Sequence, residues 1–429
     1  MRIAGPSSIR RLSAIFSKPK SLLKLNGYQA VHGEVLGQDK SPADEVVALV
    51  FKAPNSYTGQ DGADIMCHGG SATIEAVLSA LDFGGFRPAL PGEFTFRAFY
   101  NGKMDLARAE AVNELIVART SAARADAYAR LSGALSKELS VLKEGLVDTA
   151  ATLALGMDYG EEEAGEDMKA ELELLEKTRS ACLKLASSYK VGKAFKDGVM
   201  VALAGKTNAG KSSIFNRLLK EERAIVSPVA GTTRDYIEAA LDLGGIPVSI
   251  VDTAGVRESE DQVEAEGVRR SWLLADSADI VLYVVDAGLG LDAGDKEFLA
   301  AHPDAIKVWN KVDKEGARKA PGSWLEFSAK QGYGEETLVN AIQSAALGGG
   351  QAALLSGREV RIGSARHKAA LEKAAASLES AIALLNSGGP LDMAAVDLAA
   401  ALDALAEISG EVSSEDILDR LFSSFCVGK

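Results

Sequence analysis

Across residues 1–100, short apolar or alternating runs such as EVVALVFKAP are separated by turn-rich pieces such as NSYTGQDG and LPGEF. Runs of that length bounded by Gly, Pro, Asn and Asp predict strands in a small α+β domain. From about residue 104 the texture changes to Ala, Leu, Glu and Lys, and Leu131, Leu135, Leu139, Leu142 and Leu146 recur at spacings of four and three. That stripe predicts helices facing a core. The acidic run GEEEAGED interrupts it and predicts a solvated loop rather than a metal site, with a second helix following over about 168–190.

From about 196 to 346 strands and helices alternate: VMVALAG, a helix, PVSIVDTAG, another helix, DIVLYVVDA, IKVWNK and WLEFSAK. Alternation of this kind predicts a parallel sheet with helices on both faces. After ALGGGQ the helical texture returns, with Leu398, Leu402, Leu405 and Ile408 on one stripe. SSEDILDRLFSSF opens on a capping-box pattern, Ser413-x-x-Asp416. The helical stretches on either side of the α/β block are alike in composition. One helical domain with an α/β domain inserted in it accounts for both.

Length agrees, since 429 residues at roughly 150 per domain suggests about three domains. The composition, 47% hydrophobic and 25% charged with no apolar run long enough to cross a bilayer, predicts a soluble globular protein. A net charge of −13 disfavours a protein that grips nucleic acid by its overall field, so RNA would need a local basic patch or a basic partner. Cys67, Cys182 and Cys426 are widely spaced, which argues against a disulfide framework or a zinc site and fits a reducing cytoplasm. One stretch runs against the acidic balance. The first 33 residues hold no Asp or Glu but carry Lys and Arg throughout, as in SIRRLSAIFSKPKSLLK, in the manner of an organellar transit peptide.

Between a buried strand and a helix, GKTNAGKSS at 205–213 fits G-x-x-x-x-G-K-[ST]. Its backbone N–H groups can cradle phosphates, Lys211 can reach the β/γ oxygens, and the Ser212 hydroxyl can ligate Mg²⁺. Downstream, NKVD places Asp313 where a carboxylate accepts both the N1–H and the 2-amino group of guanine, a pair adenine does not offer. FSAK follows, and its backbone at Ser328 and Ala329 is placed to meet the base oxygen. With GTTRD and Asp252-Thr253-Ala254-Gly255 in order between them, the residues predict a GTPase, with an adenine-binding P-loop protein as the competitor. In Ras-like enzymes a glutamine follows the glycine and orients the attacking water. Here the residue is Val256.

NAGKSS, GTTRD, DTAGVRES and NKVD, inserted in a helical domain and closed by FCVGK, resemble the MnmE/TrmE family of tRNA-modification GTPases, as do PNSYTG, CHGG and LPGEFTFRAFYNGKMDLARAEAV. The resemblance covers nearly the whole chain. It implies a multidomain protein: an α+β folate-binding-like domain over 1–103, an all-α helical domain over 104–195 and 347–429, and an inserted α/β Ras-like P-loop GTPase domain over 196–346. It implies GTP hydrolysis coupled, with an FAD-dependent partner of the MnmG/GidA type, to installing a carboxymethylaminomethyl or aminomethyl group at C5 of a tRNA wobble uridine. A cytoplasmic homodimer is implied, assembled with the partner into a heterotetramer that meets tRNA mainly through the partner, with no membrane. The one-carbon unit comes from a tetrahydrofolate derivative, 5,10-methylene- or 5-formyl-tetrahydrofolate.

By motif position the GTP contacts fall on Asn208, Ala209, Gly210, Lys211, Ser212, Ser213, Ser227, Thr232, Thr233, Asp252, Thr253, Ala254, Gly255, Asn310, Lys311, Asp313, Ser328 and Ala329. Mg²⁺ maps to Ser212 and Thr233, and K⁺ to Asn208, Ser227 and Thr232 with backbone near Val229. Folate contacts map to Arg2, Asp64, Lys103 and Lys429, basic groups suiting a ligand with glutamate carboxylates. Lys211, Thr233 and Glu264 are the implied catalytic residues. Glu264 takes the water-activating part that Val256 lacks, acting through a bridging water and ahead of Arg257, Glu258, Glu260, Asp261 and Gln262. Cys426 reads either as a nucleophile or modification site or as a small apolar residue packing beside Phe422 and Phe425, and His68 as structural.

Two departures stand out. The family's N-terminal segment begins earlier, with a strand and a glycine-rich loop, whereas this chain opens at MRIAGP inside the next signature. We therefore expect the native start to lie upstream, and RIAGPSS, aligned with the domain body, not to be cleaved as a leader. Asp64 stands where the family has glutamate. Rival expectations are a regulatory GTPase switch in ribosome assembly and a shortened family member that hydrolyses GTP but binds folate poorly.

Overall fold

A computed structural model describes residues 1–159, 168–219, 237–252, 272–349, 360–425 and 428. The chain divides into two compact units, Met1–Asn113 with Ala406–Lys429, and Glu114–Leu405.

The first unit is built on an antiparallel sheet in which β1 (Arg2–Ala4), β4 (Gly62–Met66), β3 (Pro42–Phe51) and β2 (Gln29–Leu36) lie side by side in that order. The alternation in EVVALVF is realised along β3, where Val46, Ala48 and Val50 are buried. Helices α1 (Ser8–Ala14), α2 (Pro19–Lys24) and α3 (Ser71–Phe83) contribute Ile9, Leu12, Leu22, Val77 and Leu81 to the same core. On α4 (Glu93–Tyr100), Phe96 packs edge-on against Phe422 of the last helix, Glu415–Ser423, with ring centroids 5.3 Å apart. That helix begins one residue later than its capping-box pattern predicts. Ser414 is the N-cap, while the Ser413 hydroxyl turns back to the Gly410 carbonyl at 3.5 Å.

The second unit carries the rest of α5 (Leu106–Val117), then α6 (Ser121–Leu131), α7 (Ala134–Tyr159), α8 (Lys169–Ser187) and α9 (Tyr189–Asp197). The leucine stripe is buried at Leu135, Leu139 and Leu146 and extends to Leu153. GEEEAGED lies outside the described residues. Three of these elements meet at a buried ionic hub. Arg130 on α6, 4% exposed, donates to Glu114 on α5 at 2.7 and 2.9 Å, to Asp126, and to the Arg361 carbonyl at 3.2 Å. Lys196 on α9 reaches Glu114 at 3.1 Å. Burial disfavours the Arg130 charge, but the two carboxylates outweigh it and hold the guanidinium firmly protonated.

The α/β block follows as β5 (Val199–Ala204), α10 (Lys211–Leu218), β6 (Ile237–Leu243), β7 (Ile246–Asp252), β8 (Ile280–Asp286), α11 (Ala293–Ala301), β9 (Ile306–Asn310), β10 (Leu325–Phe327) and α12 (Glu335–Ala346). Its six strands order as β10-β9-β8-β5-β7-β6. All pairs are parallel except β6 with β7. β6 is not among the runs that the sequence pattern singles out, since IEAALDL is rich in Ala, Leu and Glu. A two-residue Gly244–Gly245 turn folds it back onto β7 and overrides the helical preference of that composition. The sheet's core is continuous with the helices before it, since Ala123 of α6 and Ala194 and Phe195 of α9 join Val201, Leu203, Ile250 and Phe327 in one cluster. The chain returns through α13 (Ala365–Asn386), packed along α8, to α14 (Leu391–Ser409) and the last helix, α15 (Glu415–Ser423). Leu398, Leu405 and Ile408 are buried on α14 as their spacing predicts. Among the described residues no helix is long and apolar enough to cross a membrane.

Candidate functional site

The nucleotide-site candidates gather at the carboxyl ends of the parallel strands, where ligands bind in open α/β sheets. GKTNAGKSS turns from the end of β5 into α10. Two of its glycines are obligatory by space as well as by conformation. At Gly205 (φ 129°) a Cβ would lie 2.2 Å from the Val284 carbonyl oxygen, and at Gly210 (φ 100°) it would lie 2.2 Å from Asn310 Nδ2. The backbone can thus approach the neighbouring chain closely where α10 opens. Lys211, almost wholly buried, folds back so that Nζ donates to the carbonyls of Gly205 at 2.7 Å and Lys206 at 2.8 Å.

NKVD is tied directly to this loop. Asn310 ends β9 with its side chain fully buried, and its Nδ2 donates to the Ala209 carbonyl at 2.9 Å. Its Oδ1 meets the Ala329 N–H at 3.4 Å, so one amide joins the phosphate loop, the NKVD strand and the FSAK segment. Lys311, at φ 66°, donates to the Asn208 carbonyl and to Asp286 Oδ2 at 2.7 Å. The Ser328 hydroxyl donates to Asp313 Oδ1 at 2.6 Å, and that bond holds the Asp313 carboxyl below its ordinary range, ionised and able to accept. The Ser328 amide already donates to the Tyr333 carbonyl at 3.0 Å. Of the two backbone donors, Ala329 is held among the described residues only by its long contact with Asn310.

Asp286 was not anticipated from the sequence. It ends the fully buried strand IVLYVVD, accepts from Lys311 and from the Gly288 N–H at 2.8 Å, and orients the lysine across the loop. Burial pushes its carboxyl up, but the lysine and the amide bring it below its usual range. Its signal was a lone acid closing an otherwise apolar strand.

In the first unit, Arg2 and Asp64 face each other across the β1–β4 pair and close a two-point ion pair at 2.8 and 2.9 Å. The pair raises the guanidinium's already high pKa. Arg2 also lies over the Tyr57 ring, 5.3 Å from its centroid. Beside it opens a cavity of about 230 Å³ lined by Arg2, Tyr28, Phe51, Tyr57, Thr58 and Gln60 among others. Lys103 donates to the Pro54 carbonyl at 3.0 Å, and Asn101 to that of Thr58 at 2.7 Å, so both hold the loop that walls the cavity. The aromatic lining was missed in the sequence because its residues come from three separated segments. His68 is exposed and bonded to Asp44 at 2.8 Å.

Ser227, Val229, Thr232, Thr233, Thr253, Ala254, Gly255, Val256, Glu264, Cys426 and Lys429 lie outside the described residues, as do Arg257, Glu258, Glu260, Asp261 and Gln262. Asp252 ends β7, its backbone paired with Leu203 just before the phosphate loop.

A family model for the MnmE helical domain matches residues 106–426, and one for the GTP-binding protein TrmE N-terminus matches 1–103. The tRNA modification GTPase MnmE of Treponema denticola is 41% identical over 447 residues, covering 100% of this chain and 94% of that protein. The chain belongs to the MnmE family. MnmE proteins of Syntrophus aciditrophicus and Carboxydothermus hydrogenoformans, 39% and 38% identical, each cover 100% of the chain and 96% of their own length. Membership in a family of tRNA modification GTPases accords with a multidomain fold in which a TrmE-type N-terminal region and a helical region accompany a P-loop GTPase sheet.

Proposed function

We propose that this chain hydrolyses GTP and, with an FAD-dependent partner, uses that cycle to drive aminomethyl or carboxymethylaminomethyl addition at C5 of a tRNA wobble uridine. The observation that carries the GTPase half is the bond from Asn310 Nδ2 to the Ala209 carbonyl at 2.9 Å, which links the base-reading NKVD segment to the phosphate loop. Base recognition and phosphate binding are then one rigid construction, with Asp313 steadied by Ser328 for the guanine edge. The open glycine cradle suits a metal-bound triphosphate, because nothing heavier than hydrogen projects from Gly205 or Gly210. Ser212 and Thr233 would hold Mg²⁺, which when bound withdraws charge from the β and γ oxygens. Lys211 would exchange its carbonyl partners for those oxygens as the nucleotide enters.

Val256 has no group to orient water, so Glu264 takes that part, through a bridging water, when two G domains meet. K⁺ held by Asn208, Ser227, Thr232 and the backbone near Val229 would take the place of an arginine finger. Water attacks the γ-phosphorus, the bond to the β-bridging oxygen breaks, and the proton leaves to solvent. In the first unit, Arg2, Asp64, Lys103 and Lys429 would bind a tetrahydrofolate derivative as one-carbon donor, and the cavity beside Arg2 supports that reading with aromatic walls for a flat ring system. The working protein is a cytoplasmic homodimer in a heterotetramer with its partner, and Cys426 is a candidate modification site.

Asp313→Asn tests the core of the proposal. Asparagine keeps an oxygen for Ser328 but presents an amide to the base edge, so it favours xanthine over guanine. Two bonds to a carboxylate at about 1.5–3 kcal/mol each predict a swing of about 10²–10⁴-fold from GTP toward xanthosine triphosphate. Unchanged GTP preference would sink the assignment.

A further inference from the structure

The acid-free N-terminal stretch that resembles a transit peptide in charge is folded into the body of the first unit. α1 and α2 pack against each other and bury Ile9, Leu12 and Leu22 in the sheet's core. Their outer surface exposes Arg10, Arg11, Lys18, Lys20 and Lys24. Arg11 donates to the Gly85 carbonyl. Arg10, Lys18, Lys20 and Lys24 form no ion pair among the described residues. The acids nearest along the contacts are Asp61, whose carbonyl accepts from Ser8 at the start of α1 and whose carboxylate accepts from the Ala53 N–H, Glu34, whose backbone pairs with Ser17, and Asp82, three residues before Gly85. In a chain of net charge −13, four exposed cations on two adjoining helices, with Lys18 at the cap of the second, stand out as a local positive field.

We infer that this α1–α2 face binds the phosphate backbone of tRNA. Clustered Lys and Arg with few acids among them are what sequence-independent phosphate binding requires. An anionic membrane is the weaker match, because a helix that lies on lipid keeps its apolar face for the bilayer, whereas Ile9, Leu12 and Leu22 are already in the core. Position supports RNA as well. α2 runs through residues 25–27 directly into Tyr28, which lines the cavity beside Arg2. A backbone held on this face is therefore anchored a few residues from the proposed one-carbon site. The inference rests on the tRNA reading above and adds a docking surface of the chain's own to whatever the partner supplies.

The test uses the full chain and a labelled unmodified tRNA, titrated between about 50 and 200 mM salt. Three proteins are compared: wild type, the triple variant Arg10→Glu/Lys20→Glu/Lys24→Glu, and a control with the same charge change on exposed helical positions, Lys137→Glu/Lys169→Glu/Lys177→Glu. The face variant should bind at least about tenfold more weakly and lose about 2–3 from the slope of log affinity against log salt, roughly 0.7–0.9 per phosphate contact. The control should keep the wild-type slope, and GTP turnover should be the same in all three, which shows that each is folded. Equal slopes for both variants would overturn the inference. So would a wild type that binds phosphatidylserine vesicles but no tRNA. Nucleoside analysis in a strain lacking the gene reports on the reaction separately: intact wobble modification there sinks the function, whereas lost modification with equal slopes sinks only the docking face.

Discussion

Replacing Arg130 by Met should destabilise the second unit and its inserted sheet together. Arg130 is the centre of the hub, with both Glu114 and Asp126 almost fully buried around it. Methionine fills much of the stem's volume but leaves two carboxylates without their main partner. Removing one member of a buried ionic group costs about 3–5 kcal/mol. Lys196 at 3.1 Å and Arg361 at 3.7 Å remain as partial substitutes, so the low end, about 3 kcal/mol, is expected. At about 2–4 °C per kcal/mol for a unit of this size, the midpoint should fall by roughly 6–12 °C. All three tryptophans, Trp272, Trp309 and Trp324, lie in the α/β block, so their fluorescence reads that block while far-UV circular dichroism reads mainly the helices. The two signals should shift in step, because Ala123 and Phe195 share one core with the sheet. Adding Glu114→Gln and Asp126→Asn to Arg130→Met should recover part of the loss, since no carboxylate is then stranded, although Lys196 and Arg361 lose these partners. A single variant that melts within about 1 kcal/mol of wild type, or a triple variant no better than the single, would refute the reasoning.

Three further outcomes are expected. Glu264→Ala should lower potassium-stimulated kcat by about 10²–10⁴-fold, the range for a general base, with GTP affinity little changed; near-normal turnover in K⁺ would move the role to a neighbour, Gln262 first. Lys103→Ala should raise the Kd for a tetrahydrofolate derivative about 10-fold in calorimetry, the worth of one charge-assisted bond, and an unaltered Kd would remove Lys103 from the folate site. Glu93, bonded by Arg87, the Leu90 N–H and Arg97, has its carboxyl lowered to about 2. A depressed folded pKa stabilises the fold above the unfolded value and loses that effect as pH falls through the folded one. The stability advantage of wild type over Glu93→Gln, about 1–2 kcal/mol after screening at the exposed Arg87, should therefore close between about pH 5 and 2; a gap independent of pH would contradict it.

Local chemistry was legible from the chain alone wherever a short stretch carries its own geometry. GKTNAGKSS specifies a phosphate loop because its glycines, lysine and serine act within one turn of backbone, and NKVD and the leucine spacings on α7 and α14 are similarly self-contained. What depended on distant partners was not legible. IEAALDL has helix-forming composition and becomes β6 only because β7 offers a ladder through the Gly244–Gly245 turn. Asp286 acquires its role when β8 and β9 pair and bring Lys311 to it, and Arg2 meets Asp64 only through the β1–β4 register. The hub around Arg130 joins residues from 114 to 361, and no spacing rule connects positions so far apart. Short-range order follows from steric and hydrogen-bonding preferences of neighbouring residues, whereas pairing register, shared cores and buried charge networks exist only once the chain has closed on itself.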